Sequence, residues 1–372
     1  MKIAILTLPV YSNYGGILQC YALQSILERM GHEVKVLKKP TFSRTYYIIY
    51  PLAICKRLFK RFVLNQKIAI LKAPHQIVRQ HTNRFIHQYL NLYIKKTWTT
   101  KIASHFDAII VGSDQIWRPA YSKPIEQAFL SFLDGCNIKR IAYAASFGVD
   151  DCQEYTFEQL QECSRLLKMF NAISVREASG VKICQDYFGV KAVQMLDPTL
   201  LLSIDNYRTL IKNGNTHPSK GNMLVYMLDR TEEKDVLVNQ IAKETGLIPF
   251  WITNEEENIS LPLEQRIKQP VEQWLRSFDD AEFVLTDSFH GCVFSILFKK
   301  TFIVWGNNQR GITRFVSLLQ LFNLKSRLIN SLKDFFINKE GLLKHIDYSI
   351  ITAELLKYRE LSISFLKNTL TQ

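Results

Sequence analysis

The feature that most constrains this chain is a rhythm. Short apolar runs are each followed by a polar loop and then a helical pattern, and the series restarts after a polar break at 212–222 (KNGNTHPSKGN). Residues 3–8 (IAILTL) open it, and the loop SNYGG follows. ILQCYALQSILERMG then sets Leu18, Ala22, Leu23, Ile26 and Leu27 on one helical stripe before Gly31 stops it. HEVKVL is the next strand. Brief, unbroken apolar runs suit strands covered on both faces, as in a parallel sheet. Strand, loop, helix and strand together open a doubly wound α/β domain. DAIIVGSD from Asp107, IKRIAYAASFG, NAISVRE and AVQMLDPTLLL read as further strands, with a helix over 159–170. Beyond the break come MLVYMLD, IPFWIT, EFVLTDSFHG and TFIVWG as strands or strand and loop. Helical patterns in TEEKDVLVNQIAKETG, PVEQWLRSFDDA and CVFSILFKK alternate with them. The expectation is two Rossmann-like domains, 1–212 and 222–330, with a basic insertion at about 38–105 and a helical tail over 331–372.

Charge is local. The net charge is +13, and fifteen of the 47 lysines and arginines fall between Glu33 and Asp107, an interval with no acidic residue. Its aromatic start, TYYIIYPLAICKRLFKRFVL, reads either as a solvated helical face or as a peripheral dock for anionic lipid over 42–72. RNA-type aromatic motifs and a helix-turn-helix are absent, so nucleic acid is not an expected partner. No run of about 18 apolar residues occurs, and the N-terminus lacks a small-residue cleavage site, which points to the cytoplasm. The seven cysteines are scattered singly with no CxxC pair, so neither a disulfide framework nor a metal site is expected.

In parallel α/β sheets ligands bind beyond the carboxyl ends of the strands, so the polar loops there are the candidates. Asn13-Tyr14-Gly15-Gly16 precedes a helix, where paired glycines let backbone amides approach an anion or simply make a tight turn. Ser113, Asp114 and Gln115 end a strand. Asp114 is a candidate helix cap, or the three grip a sugar hydroxyl with Trp117 as stacking face. Arg176 follows a strand, where a planar guanidinium suits carboxylate or phosphate, or pairs internally with Glu177. Asp197 closes a turn. In TDSFHG, His290 is placed on a loop as a proton donor or acceptor, with Gly291 leaving room for ligand and Asp287 orienting the ring. Arg310 and Arg314 share a helix face or a turn after the next strand.

Seven runs in order, NYGGILQCYALQ, DAIIVGSDQIW, IAYAASFG, ISVREASG, LDPTLLL, TDSFHGCVFSILF and RGITRFVSLLQLFNL, resemble the polysaccharide pyruvyl transferase family from residue 1 to about 328. The resemblance implies a fold similar to GT-B glycosyltransferases, with a site between two domains. It further implies phosphoenolpyruvate as co-substrate, no cofactor or metal, and a sugar hydroxyl pair as acceptor that yields a cyclic pyruvate ketal. The family's histidine falls on His290, and Arg176 is the implied donor-binding arginine. Better-understood members carry arginine two positions before the histidine. Here Ser288 stands, so Arg310 or Arg314 is the expected source of that charge. Such acceptors are commonly lipid-linked, which gives the basic interval its membrane reading. The rival reading is a GT-B enzyme using a nucleotide sugar, for which Glu282 is the nearest ribose-binding candidate, though it sits at a strand start.

Overall fold

The computed structural model describes residues 1–39, 55, 59, 75–252, 256, 258, 261–306 and 311–371. The expected membrane dock at 42–72, apart from residues 55 and 59, and the expected donor residue Arg310 lie outside the described residues. Among those described, no helix is long and apolar enough to cross a membrane.

Two parallel sheets form. The first carries β1 (Lys2–Leu6), β2 (Glu33–Lys38), β3 (Leu92–Ile94), β4 (Ala108–Val111), β5 (Lys139–Ala145), β6 (Ala172–Val175) and β7 (Val193–Gln194). Its order is β3-β2-β1-β4-β5-β6-β7. The second carries β8 (Met223–Tyr226), β9 (Pro249–Ile252), β10 (Phe283–Thr286), β11 (Thr301–Trp305) and β12 (Leu328–Ile329), ordered β12-β11-β10-β8-β9. Every pairing is parallel, as the unbroken apolar runs require. In each sheet the chain reverses its direction of strand addition at one place: between β1 and β4 in the first, and between β8 and β10 in the second. At such a reversal the loops leave in opposite directions and a crevice opens.

One apolar core runs through both domains. It joins Ile3 and Ile5 of β1 to Leu224 of β8, Val284 of β10 and Leu366 of the last helix. Tyr14, at the start of the Tyr14–Arg29 helix, stacks on Trp274 of the second domain with ring centroids 5.4 Å apart, and its hydroxyl donates to the Gln269 carbonyl at 2.9 Å. The 212–222 stretch runs from the Ile204–Asn213 helix towards β8, held by Gln273 to the backbone of His217 and by Asp280 to the Ser219 amide.

Beyond residue 330 the chain is integrated with both domains. The Leu332–Leu343 helix seats Phe335 and Leu342 in the core of the second sheet. The Tyr348–Thr371 helix returns to the first domain. There the Ser362 hydroxyl accepts from the Leu196 amide, and Arg359 donates to the carbonyls of Leu200 and Leu202 at 2.8 and 3.1 Å. Charged hydrogen bonds of this kind each contribute about 1.5–3 kcal/mol. Arg359→Met, which keeps the aliphatic stem, should lower stability by about that amount. The urea midpoint reads the loss, and an unchanged midpoint would show that these bonds do not anchor the helix.

Candidate active site

The crevice at the two reversal points is a cleft of about 260 Å³ between the domains. Leu8, Ser12 and Asn13 reach it from the loop after β1, and Asp114 and Gln115 from the loop after β4. Tyr226 and Leu228 come from the end of β8, and the residues 287–290 from the end of β10. Three helices begin at this space. Asn13 caps the Tyr14–Arg29 helix, accepting from the Gly16 amide at 3.2 Å. Ser288 caps the Phe289–Leu297 helix, accepting from the Gly291 amide at 3.3 Å. The Ile312–Leu321 helix presents Arg314 from its first turn.

His290 therefore sits in the first turn of a helix and not on a loop, because Ser288 supplies a cap two residues earlier. Its ring packs on Gly15, where a Cβ would lie 1.9 Å from Nδ1. At Gly16 a Cβ would make only ordinary contact with Asp114, at 3.4 Å. Gly15 thus admits the His290 ring to the domain junction, while the Gly16 amide is taken by the Asn13 side chain. Gly291 leaves room for a strand, since a Cβ there would meet the Thr286 hydroxyl at 2.2 Å.

Asp287 does not orient His290. Its carboxylate accepts from the Leu228 and Asp229 amides and from the Lys234 ammonium, at 2.6, 3.1 and 2.7 Å, and so braces the loop after β8. The carboxylate that faces the ring is Asp197, with Oδ2 3.5 Å from Nε2. At that distance the contact is electrostatic, and Nε2 makes no hydrogen bond among the described residues. Asp197 also closes its turn, as expected, through the Thr199 amide and hydroxyl at 3.0 and 2.7 Å. Oδ2, the oxygen that faces the ring, also accepts from the Arg176 guanidinium at 2.7 Å and the Ser113 hydroxyl at 3.2 Å. Burial alone would raise this carboxyl. The nearby His290 and Arg176 side chains and the hydrogen bonds from Arg176 and Thr199 outweigh burial and hold it far below the usual carboxylate range.

Arg176 is consequently a buried counterion. It pairs with Asp197, approaches Asp114 at 3.7 Å and lies over the Phe289 ring at 4.3 Å, so it stands behind the cleft wall. Glu177 does not pair with it by a hydrogen bond but accepts from the Phe147 and Gly148 amides. Ser113 is fully buried, and Trp117 is stacked on Phe129 inside the first domain, so neither presents a face to a sugar. Asp114 caps no helix: it accepts from the Gln115 amide at 2.9 Å and points to the cleft. Tyr14, as described, pins the two domains.

The basic side chains that do line the cleft are His290, Arg314 and Lys268. Burial, with Arg176 nearby, pushes the Arg314 guanidinium down to about 10. Lys268 lies over the Tyr14 ring at 5.0 Å, and burial pushes its ammonium down to about 8 against the pull of Glu256. Glu256 is itself ion-paired to Arg79 of the first domain. Neither Lys268 nor Glu256 carries a sequence signal: the lysine follows no strand, and the glutamate is one of three in TNEEEN. Among the described residues, no group of His, Cys, Asp or Glu side chains is placed to hold a metal ion.

Fold and site together define a two-domain α/β protein whose ligand cleft lies at the switch points of both sheets. The sequence profile of the polysaccharide pyruvyl transferase family matches residues 13–309, and the chain belongs to that family. No curated protein matches it in sequence. Among solved structures, Arabidopsis thaliana UGT89C1 is similar over 99% of this chain and 97% of its own, with 11% identity and a TM-score of 0.47. The UDP-GlcNAc 2-epimerase of Neisseria meningitidis is similar over 96% of this chain and 100% of its own, at 11% identity and a TM-score of 0.45. MurG of Acinetobacter baumannii is similar over 96% of this chain and 94% of its own, at 11% identity and a TM-score of 0.41.

Two variants test the junction. A Cβ at position 15 must displace His290 or part the domains, so Gly15→Ala should cost about 1–3 kcal/mol, read as a lower melting temperature. A melting temperature equal to the parent's would show that the ring yields freely. Asp197 has a folded-state pKa far below its unfolded value, so its stabilisation is complete above about pH 4 and is lost progressively as pH falls below that towards the folded-state value. Asp197→Asn should destabilise by about 3–5 kcal/mol near neutral pH, with the gap to the parent closing in acid. A gap independent of pH would contradict the buried ion pair.

Proposed function

We propose that this protein transfers pyruvate from phosphoenolpyruvate to a hydroxyl pair of a sugar in a surface polysaccharide precursor, closing a pyruvate ketal. The observation that supports this most is the convergence of three helix N-termini with His290, Arg314 and Lys268 on one small cleft. Helix N-termini carry partial positive charge and unpaired amides, which with guanidinium and ammonium groups suit a compact, highly charged anion. In a chain of this family that anion is the donor.

The chemistry proceeds in steps that balance. A proton adds to the donor's methylene carbon, and cationic character grows at the neighbouring carbon. One sugar hydroxyl attacks there and loses its proton, inorganic phosphate leaves, and the second hydroxyl closes the ring, losing a second proton. His290 is the residue placed to move a proton, since Nε2 is buried at the cleft and free of a hydrogen bond among the described residues. Asp197, with Oδ2 3.5 Å from Nε2, positions the imidazole. Arg314 and Lys268 take the donor's charge, and Arg314 supplies what Ser288 lacks. Asn13, Asp114 and Gln115 are the polar groups facing the acceptor's hydroxyls.

Transfer from a nucleotide sugar finds less support. Glu282 stands at the start of β10, bonded to Asn222 at 2.9 Å, on the side of the sheet away from the cleft. Glu256, which does reach the cleft, is engaged by Arg79.

The test is release of inorganic phosphate from phosphoenolpyruvate across a panel of acceptor glycans, with product mass checked for the added pyruvate. His290→Ala should bind donor and acceptor yet lose turnover by about 100- to 10,000-fold. Near-parental turnover would remove the histidine from the mechanism. Arg314→Met should weaken donor binding by about tenfold or more, given a charge-assisted contact to phosphate or carboxylate. Unchanged donor affinity would place the anion elsewhere.

A further inference from the structure

Beside the cleft lies a second cavity, at the carboxyl ends of β1 and β2, enclosing about 170 Å³. It shares Leu8 and Tyr121 with the cleft, so the two spaces adjoin. Lys38, Lys39 and Lys123 line it, and among its described lining residues there is no carboxylate. Lys38 ends β2 and is only 9% exposed. Its ammonium rests 5.5 Å from the centre of the Tyr11 ring and, among the described residues, makes no hydrogen bond or ion pair. Lys39 lies 4.6 Å over the Trp98 ring and donates to the Gln127 carboxamide oxygen at 2.6 Å. Burial lowers both ammonium pKa values from their usual range. One buried and one partly buried ammonium lining the same cavity without a carboxylate among its described walls are costly, and an anion seated there would offset that cost. The aromatic walls Tyr11, Trp98 and Tyr121 are the kind of faces on which a sugar ring or another flat, weakly polar group packs.

We propose that this cavity is the acceptor subsite, and that Lys38 and Lys39 hold the phosphoryl groups of a glycosyl diphosphate. The sugar then extends past Leu8 and Tyr121 and presents its hydroxyl pair to His290. This rests on the pyruvyl-transfer reading of the cleft, to which it adds the chemical class of the acceptor. The shared chemistry is a sugar on a diphosphate, and its source is either a nucleotide or a lipid carrier.

Calorimetric titration of the full chain with inorganic pyrophosphate, in the presence and absence of saturating phosphoenolpyruvate, separates this site from the donor site. Pyrophosphate should still bind with donor saturating. Lys38→Met and Lys39→Met should each weaken it by about tenfold or more, while donor affinity stays within about twofold. Lys39 is only partly buried, so its variant decides the matter should Lys38→Met fail to fold. Pyrophosphate binding that disappears under saturating donor, or that the lysine variants leave unchanged, overturns the proposal. If phosphoenolpyruvate does not bind at all, the donor reading fails separately and the pyrophosphate titration still decides this cavity. UDP-glucose and a short-chain polyprenyl diphosphate sugar are then run as competitors. Displacement by either supports the site and identifies its source, and displacement by neither overturns it.

Discussion

A single buried carboxylate, Asp197, holds the centre of this molecule together. Its oxygens receive Thr199 from their own turn, Ser113 from the loop after β4, Arg176 from the end of β6, and the electrostatic approach of His290 from the other domain. A carboxylate so far from water is tolerated only because every direction is answered by a donor or a cation. The same set of contacts ties the position of the histidine to the relative placement of the two sheets. Loss of any one partner therefore leaves charge exposed to a low-dielectric interior, and the penalty falls on the geometry of the cleft.

Close backbone approach makes that arrangement possible. Gly15 admits the His290 ring to the first turn of the Tyr14–Arg29 helix. On the opposite side of the junction, Gly311 lies so near the Gly148 carbonyl that a Cβ would come within 1.9 Å, and Thr313 bonds the same oxygen at 3.4 Å. With Tyr14 stacked on Trp274, these contacts bring the domains within hydrogen-bonding distance around the cleft. The domain junction and the site are thus one structure, built from the same residues.

Much of this was legible in the chain. Unbroken apolar runs such as IAILTL and EFVLT announce strands covered on both sides, and parallel strands place function in the loops that follow them. That reasoning reached Asn13, Asp114, Gln115, Ser288, His290 and Arg314, all of which line the cleft. It failed where a role depends on the partner across the junction. Asp287 stands three residues from His290 and looked like its orienting group, yet its carboxylate braces Lys234 and the loop after β8. Asp197 is distant in sequence and has the local signature of a turn, and it is the group the ring faces. Arg176 has the position of a ligand arginine, but Asp197 neutralises it. Lys268 and Glu256 gain their place only from the packing of one domain on the other.

The departure at Ser288 has a physical reading in this light. A serine at that position caps the helix, taking the Gly291 amide and leaving the start of the first turn, Phe289 and His290, facing the cleft. An arginine there would bring a full charge from the histidine's own helix but would lose the cap. In this chain the charge arrives from the Ile312–Leu321 helix instead, as Arg314 lying 5.2 Å over the Phe289 ring, whose other neighbouring cation is Arg176 at 4.3 Å. Phe289 thereby carries two guanidinium groups of different kinds: Arg176 is committed to Asp197, and Arg314 lines the cleft. Separating the structural cation from the ligand-facing one allows the ionic core to stay fixed while the front of the site meets an anion.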